Sequence, residues 1–352
     1  MGRFCPSLAA THKPAAPPRG NRGIMPKVSI VMTSYNQERF VRATIESVLA
    51  QVLRDWELVV VDDGSRDQSH EIACAYSSKD PRIRCFKTAN GGHSSALNFG
   101  VRHTRPDSPF IFFLDGDDML KPDYLLVTVA YLDEHPCAGV VCCLSDQIDG
   151  EGNVTRALNH RSRWVPGRLG LPRQLKSCEF NTPFVAFYCA TGQGMTGLYR
   201  RSIYDKTEGW DIDLSRHEDT DMYCQMSLLA EIHHIPRLLY SYRTHGANIT
   251  RISDDEAIRR KATFVRDGYA RFRQKWCRRV PRNAEEEAIL SAAQRHYYGV
   301  HRPLRHLKVG AKTLRLAIRE RSLKRIPWAF QLMRYFIADT GSYWILGRAN
   351  VE

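Results

Sequence analysis

VVVDDGSRD, residues 59–67, is a β-branched run that stops on two carboxylates and a glycine. A short, fully apolar run with no polar face suits a strand buried on both sides, as in a parallel sheet. Two aspartates at the mouth of such a strand are costly to place unless hydrogen-bond donors meet them. Taken alone, the segment also reads as a helix-capping turn, because Asp and Ser are favoured caps.

Working outward, the text from Lys27 alternates short apolar runs with amphipathic stretches, which predicts an α/β fold with a mostly parallel sheet. Strands are expected over residues 28–33, 57–61, 82–87 and 110–114. A helix over 38–51 puts Phe40, Val41, Ile45, Val48 and Leu49 on one face, with Asn36 as its cap, and a second helix runs through Tyr76. In open parallel sheets ligands gather at the carboxyl ends of strands, where this chain deposits its acidic and glycine-rich turns.

Two of those turns carry chemistry. FFLDGDDML, residues 112–120, crowds Asp115, Asp117 and Asp118 onto one loop. Like charges so close raise one another's pKa unless a cation sits among them, and hard oxygen ligands favour Mg2+ or Mn2+. An exposed acidic turn is the plainer reading of a bare D-x-D. NGGHSSALNFG, residues 90–100, lacks the Gly-Lys-Ser/Thr ending of a phosphate-binding P-loop. Its small residues let backbone approach a ligand, with Asn90 and Asn98 offering amides, and a structural loop-to-helix junction remains open beside that reading.

The order SYN (34–36), VDDGS (61–65), N-x-G-x-x-x-A-x-N-x-G (90–100) and LDGDD (114–118) resembles family 2 of the inverting glycosyltransferases. The resemblance covers residues 26–250 and implies a GT-A, Rossmann-like fold with a donor half (26–120) and an acceptor half (121–250). It also implies a nucleotide-diphosphate sugar donor, UDP-sugar favoured, and a glycan or lipid-linked glycan acceptor. By the same correspondence Thr33, Tyr35, Asp62 and Asp63 hold the nucleoside, Asn90, Gly92 and Asn98 lie along the donor, Asp115 meets the ribose, and Asp117 with Asp118 holds Mn2+ or Mg2+. One departure is Leu97, where relatives often carry a basic residue.

The match continues through GMTGLYRRSIYDKTEGWD (194–211) and HEDTDMYCQMSLLA (217–230). Acidic residues in a first helical turn are often only partners of the helix dipole. The family supplies its general base from this E-D pair, which implies Asp219 as base and Glu218 as an orienting group. YSYRTHGANIT (240–250) resembles the family's Y-R-x-H segment, implying Arg243 on phosphate and His245 on phosphate or metal.

Bulk composition frames these motifs. Residues 251–352 hold 23 Lys/Arg against 10 Asp/Glu, so the net charge of +13 sits wholly in that segment. It reads as a basic α-helical extension, either a solvated face packed on the main domain or, with Trp328, Phe330, Tyr335, Phe336, Tyr343 and Trp344, a peripheral contact with an anionic membrane. No nucleic-acid reading module is recognisable. Residues 1–25, rich in Pro, Ala and Gly, are expected to be a disordered leader, with Met25 as the natural start.

Ten cysteines without zinc-finger spacing read as reduced core thiols of a cytoplasmic protein, and no window suits a spanning helix. The expected function is metal-dependent sugar transfer with inversion in cell-surface polysaccharide or glycolipid synthesis. Against it stand a non-catalytic nucleotide-sugar-binding or scaffold protein and a nucleotidyltransferase, the latter disfavoured because SYNQERF stands where a triphosphate loop would.

Overall fold

The computed structural model describes residues 25–157, 196–214 and 218–246, together with Arg271 and Lys275. The expected leader up to residue 24, and all residues from 247 on other than Arg271 and Lys275, lie outside the described residues, as do the first two residues of the 194–211 segment and His217.

The chain runs β1 (Val28–Ser34), α1 (Val41–Leu49), β2 (Trp56–Asp62), α2 (Ser69–Ser77), β3 (Ile83–Lys87), α3 (His93–His103), β4 (Phe110–Asp115), β5 (Met119–Leu120) and α4 (Tyr124–Glu134). It continues as β6 (Ala138–Ile148), β7 (Val154–Arg156), β8 (Leu198–Arg200), α5 (Arg201–Tyr204), α6 (Glu218–Ser227) and β9 (Glu231–Arg243). The described strands form one nine-stranded sheet in the order β3-β2-β1-β4-β8-β6-β9-β5, with β7 paired to β6. β1, β2, β3 and β4 are parallel, as the apolar runs predict, and β8 turns antiparallel between β4 and β6. All seven residues of β1 and of β2 are buried.

Register places the chemistry. Ser34 lies opposite Asp62, and Thr33 opposite Asp115, so the ends of β2 and β4 flank the end of β1 at one edge. Apolar residues cover both faces. Val41, Ile45, Val48, Tyr124, Leu125 and Val129 of α1 and α4 cover one. Leu97 of α3 and Met222, Tyr223 and Met226 of α6 cover the other, with Phe113 and Trp210. α3 can lie this close because Gly100 has no side chain: a Cβ there would stand 2.3 Å from Val31 Cγ1. Leu97 is fully buried against this face and offers nothing to a donor phosphate.

One local expectation fails. Asn36 does not cap α1, which starts at Val41 after a turn in which Gln37 O accepts from Phe40 N and Val41 N. Asn36 instead takes a left-handed conformation with φ 52°, which Asn tolerates, and its Oδ1 accepts from Arg66 N at 2.9 Å. Cys142 and Cys143 are buried in β6, as the apolar strand reading requires. Among the described residues no helix is long and apolar enough to cross a membrane. Lys275 reaches back from the basic segment, its ammonium 2.9 Å from both Asp211 and Asp221.

Candidate active site

The end of β2 is built as a shelf. Asp62 is fully buried, its Oδ1 accepts from Ser65 N at 2.9 Å, and its Oδ2 has no hydrogen-bond partner among the described residues. A buried carboxylate oxygen left that way is costly unless a ligand donates to it. Asp63 binds the neighbouring loop instead: its carboxylate accepts from Gly91 N at 2.8 Å and Gly92 N at 2.9 Å. Gly64, with φ +77°, permits that closeness, since a Cβ there would stand 2.8 Å from Asn90 N. The shelf is tied to the end of β1 by Asn36 N on Ser65 Oγ, Gln37 N on Ser69 Oγ and Glu38 N on Asp67 Oδ2. Thr33 is buried beneath it, while Tyr35, Asn90 and Gly92 are exposed along it.

Across β1, the end of β4 joins the start of α6 through one imidazole. His93 Nε2 lies 3.1 Å from Asp115 Oδ1, and His93 Nδ1 lies 3.3 Å from Glu218 Oε1. Burial works against a charged ring, but the hydrogen bonds and charges of Asp115 and Glu218 outweigh it and push His93 up to about 10. Two carboxylates on either side of the ring thus favour its charged form. Burial likewise opposes the charge on Glu218, and the bond to His93 overcomes it and holds that carboxyl below its ordinary value. Glu218 Oε2 is buried with no hydrogen-bond partner among the described residues. Asp219, next along α6 and half-buried, accepts from Thr220 N at 2.6 Å through Oδ1.

The remaining aspartates divide. Asp117 Oδ2 lies 2.9 Å from His245 Nε2, and the His245 ring lies against Phe40 at 4.3 Å between centroids. Asp118 spends both oxygens inside the protein: Oδ2 accepts from Tyr240 OH at 2.6 Å and Oδ1 from Arg243 N at 2.8 Å. Burial, then the charges of Asp117 and Asp115, push the Asp118 carboxyl well above the usual range. Beside it, Asp117 and His245 offer an oxygen and a nitrogen of the kind that can hold a hard divalent cation.

Arg243 is buried, and its guanidinium donates to the carbonyl oxygens of Asp117, Asp149 and Gly150. Asn98 is similarly occupied, donating to Trp210 O at 2.6 Å and accepting from Trp210 N at 3.0 Å. Thus Asn98, Asp118 and Arg243 are engaged within the protein, while Asp115 and Glu218 meet at His93, with Asp219 next along α6.

His93 is the residue that sequence reasoning passed over. The glycine-rich segment draws attention to its small residues and amides, and the histidine inside it has its second partner 125 residues away. Its position at the first turn of α3, directly after the glycines, is the only local signal it gives.

The family model described as glycosyl transferase family 2 matches residues 29–206, a span that ends before α6 and β9. An uncharacterized glycosyltransferase, EpsJ, from Bacillus subtilis (strain 168) is 30% identical over 241 residues, 65% of this chain and 64% of that protein. Chondroitin synthase from Escherichia coli is 28% identical over 225 residues, 64% of this chain and 30% of that protein. The chain therefore spans less than two thirds of these relatives' lengths.

Among solved structures, S. aureus TarS 1–349 in complex with UDP-GlcNAc superposes with a TM-score of 0.58 at 18% identity, over 89% of this chain and 81% of that one. The mannosyltransferase PcManGT from Pyrobaculum calidifontis, in complex with GDP-Man and Mn2+, gives 0.56 at 17% identity, over 90% and 86%. The likeness is one of fold, the GT-A fold.

Proposed function

The chain belongs to glycosyl transferase family 2, and from that premise we propose that it transfers a sugar from a nucleotide-diphosphate donor to an acceptor hydroxyl by a single displacement, with Asp219 as general base. One observation carries the reading: His93 joins Asp115 of the D-x-D turn to Glu218 of the E-D pair, at 3.1 and 3.3 Å. That contact brings together two acidic motifs whose Asp115 and Glu218 are 103 residues apart in sequence.

The acceptor oxygen attacks the anomeric carbon as the bond to the diphosphate oxygen breaks, and its proton passes to the Asp219 carboxylate. Attack opposite the leaving group inverts the anomeric centre. Tyr35 and the exposed edge of the shelf receive the nucleoside, and the unpartnered Asp62 oxygen is the acceptor awaiting a donor N–H or O–H. Asp117 and His245 would hold Mn2+ or Mg2+, which when bound neutralises charge on the diphosphate. Glu218, fixed by His93, orients the donor beside the base.

A UDP-sugar is the favoured donor, supported by the fold shared with a protein solved with UDP-GlcNAc. Similarity to a chondroitin synthase supports a glycan acceptor, free or lipid-linked, in polysaccharide or glycolipid synthesis at the cytoplasmic membrane face, with the basic segment after 251 as a peripheral contact. The test is a panel of UDP-, GDP- and dTDP-sugars, each with and without Mn2+, read by thermal shift and by donor hydrolysis. A metal-dependent shift with one nucleotide class and slow release of its sugar are expected; no response to any donor would remove the assignment.

A further inference from the structure

Away from that edge, α2 and β3 bring together three side chains that the sugar chemistry leaves unused. His70 and Cys74 stand one turn apart on α2, and Cys85 faces them from β3, the outermost strand of the parallel half. Cys85 Sγ lies 3.5 Å from His70 Nδ1, Cys74 Sγ lies 3.4 Å from His70 Nε2 and 3.9 Å from Nδ1, and one ligand atom from each residue falls within 4.8 Å of the others. Tetrahedral zinc, with Zn–S of about 2.3 Å and Zn–N of about 2.0–2.1 Å, separates nitrogen and sulfur ligands by about 3.6 Å. All three residues are half-buried, and both cysteines are free thiols.

We propose that His70, Cys74 and Cys85 form a site for a thiophilic divalent cation, Zn2+, that clasps α2 to the edge strand β3. Two soft sulfurs and an imidazole select zinc over the hard cations suited to the aspartates at the other site. The fourth tetrahedral position falls to water. Binding converts two thiols to thiolates and releases two protons to solvent, with no change of oxidation state.

The clasp also bears on the donor shelf. Ser69, the first residue of α2, accepts from Gln37 N, and Asp62 ends the strand beside β3, so fixing α2 fixes one wall of that shelf.

The experiment uses the reduced, metal-free full chain titrated with Co2+ in the absence of nucleotide sugar. Thiolate-to-cobalt charge-transfer absorption should saturate at one equivalent, bleach on adding Zn2+, and be lost in Cys74→Ser and in Cys85→Ala while surviving in Cys137→Ser. Zn2+ should raise the thermal midpoint of the native chain and leave that of Cys74→Ser, a folded control on a half-exposed helix face, unmoved. No charge-transfer band, or a band that persists in Cys74→Ser, overturns the proposal. So does a reduced protein that binds no cobalt but closes a Cys74–Cys85 disulfide in air. The aspartate site has no sulfur ligand, so either result stands apart from the outcome of the sugar-transfer assays.

Discussion

Arg243 Nε donates to the carbonyl oxygen of Asp117 at 2.7 Å, and the guanidinium sits 5.2 Å from the centre of the Phe40 ring. The arginine thereby splints the D-x-D turn against α1's approach and against the 149–150 turn. Burial lowers its pKa, with the charges of Asp118 and Asp117 opposing that effect.

Arg243→Ala should therefore read first as a stability defect. It leaves three carbonyl oxygens to find other donors, at about 1–3 kcal/mol for each group left buried and unpaired. Thermal or urea unfolding measures the loss. An arginine that acted chiefly on phosphate would instead raise the donor KM at unchanged stability, and that outcome would return Arg243 to the donor side.

His93→Ala removes the cation between Asp115 and Glu218 and leaves two carboxylates facing each other. Activity should fall by roughly 10²-fold, the order expected when a positioned charge is lost. His93→Gln, which retains hydrogen-bonding capacity without charge, should recover part of it. Initial rates at saturating donor, set beside thermal midpoints, distinguish mispositioning from unfolding. Equal rates for Ala and native protein would show that the bridge plays no part.

A pH effect is expected from the opposite side of β6. His234 is buried, and desolvation lowers its pKa to about 4 against a backbone hydrogen bond at Cys143. The unfolded chain takes up that proton below about pH 6.5, whereas the native state resists it until about 4. The group's contribution is complete above pH 6.5 and is lost as pH falls towards 4. Between pH 7 and pH 5 this amounts to about 2 kcal/mol of stability. Urea midpoints of native protein and His234→Gln at the two pH values measure it, and a pH-dependent difference that does not change on substitution would reassign the effect.

Much of this was legible because the parallel strands are apolar on both sides. Runs such as 57–61 and 110–114 admit few other readings, and their acidic ends mark the edge where ligands gather. What stayed hidden depends on partners distant in sequence. Asn98 meets Trp210 across 112 residues and Asp118 meets Tyr240 across 122, so nothing local separates these framework groups from ligand-binding ones. Asn36 misled for a different reason: it satisfies the rule for a helix cap, but a left-handed backbone and an interlock with Arg66 claim it first.

Asp219 is the assignment on which sugar transfer turns, and its two readings differ in magnitude. As a partner of the α6 dipole, a first-turn carboxylate is worth about 0.3–1 kcal/mol, so Asp219→Asn would lower the unfolding midpoint slightly and leave rate untouched. As general base it contributes about 10²–10⁴-fold, and the same substitution should remove transfer while donor binding by thermal shift persists. Asn keeps an oxygen that can accept from Thr220 N, the bond made at 2.6 Å, so the helix start is preserved and the comparison isolates proton transfer. Robust turnover in Asp219→Asn would move the base elsewhere, with Glu218, whose second oxygen lies buried beside it, the next group to substitute.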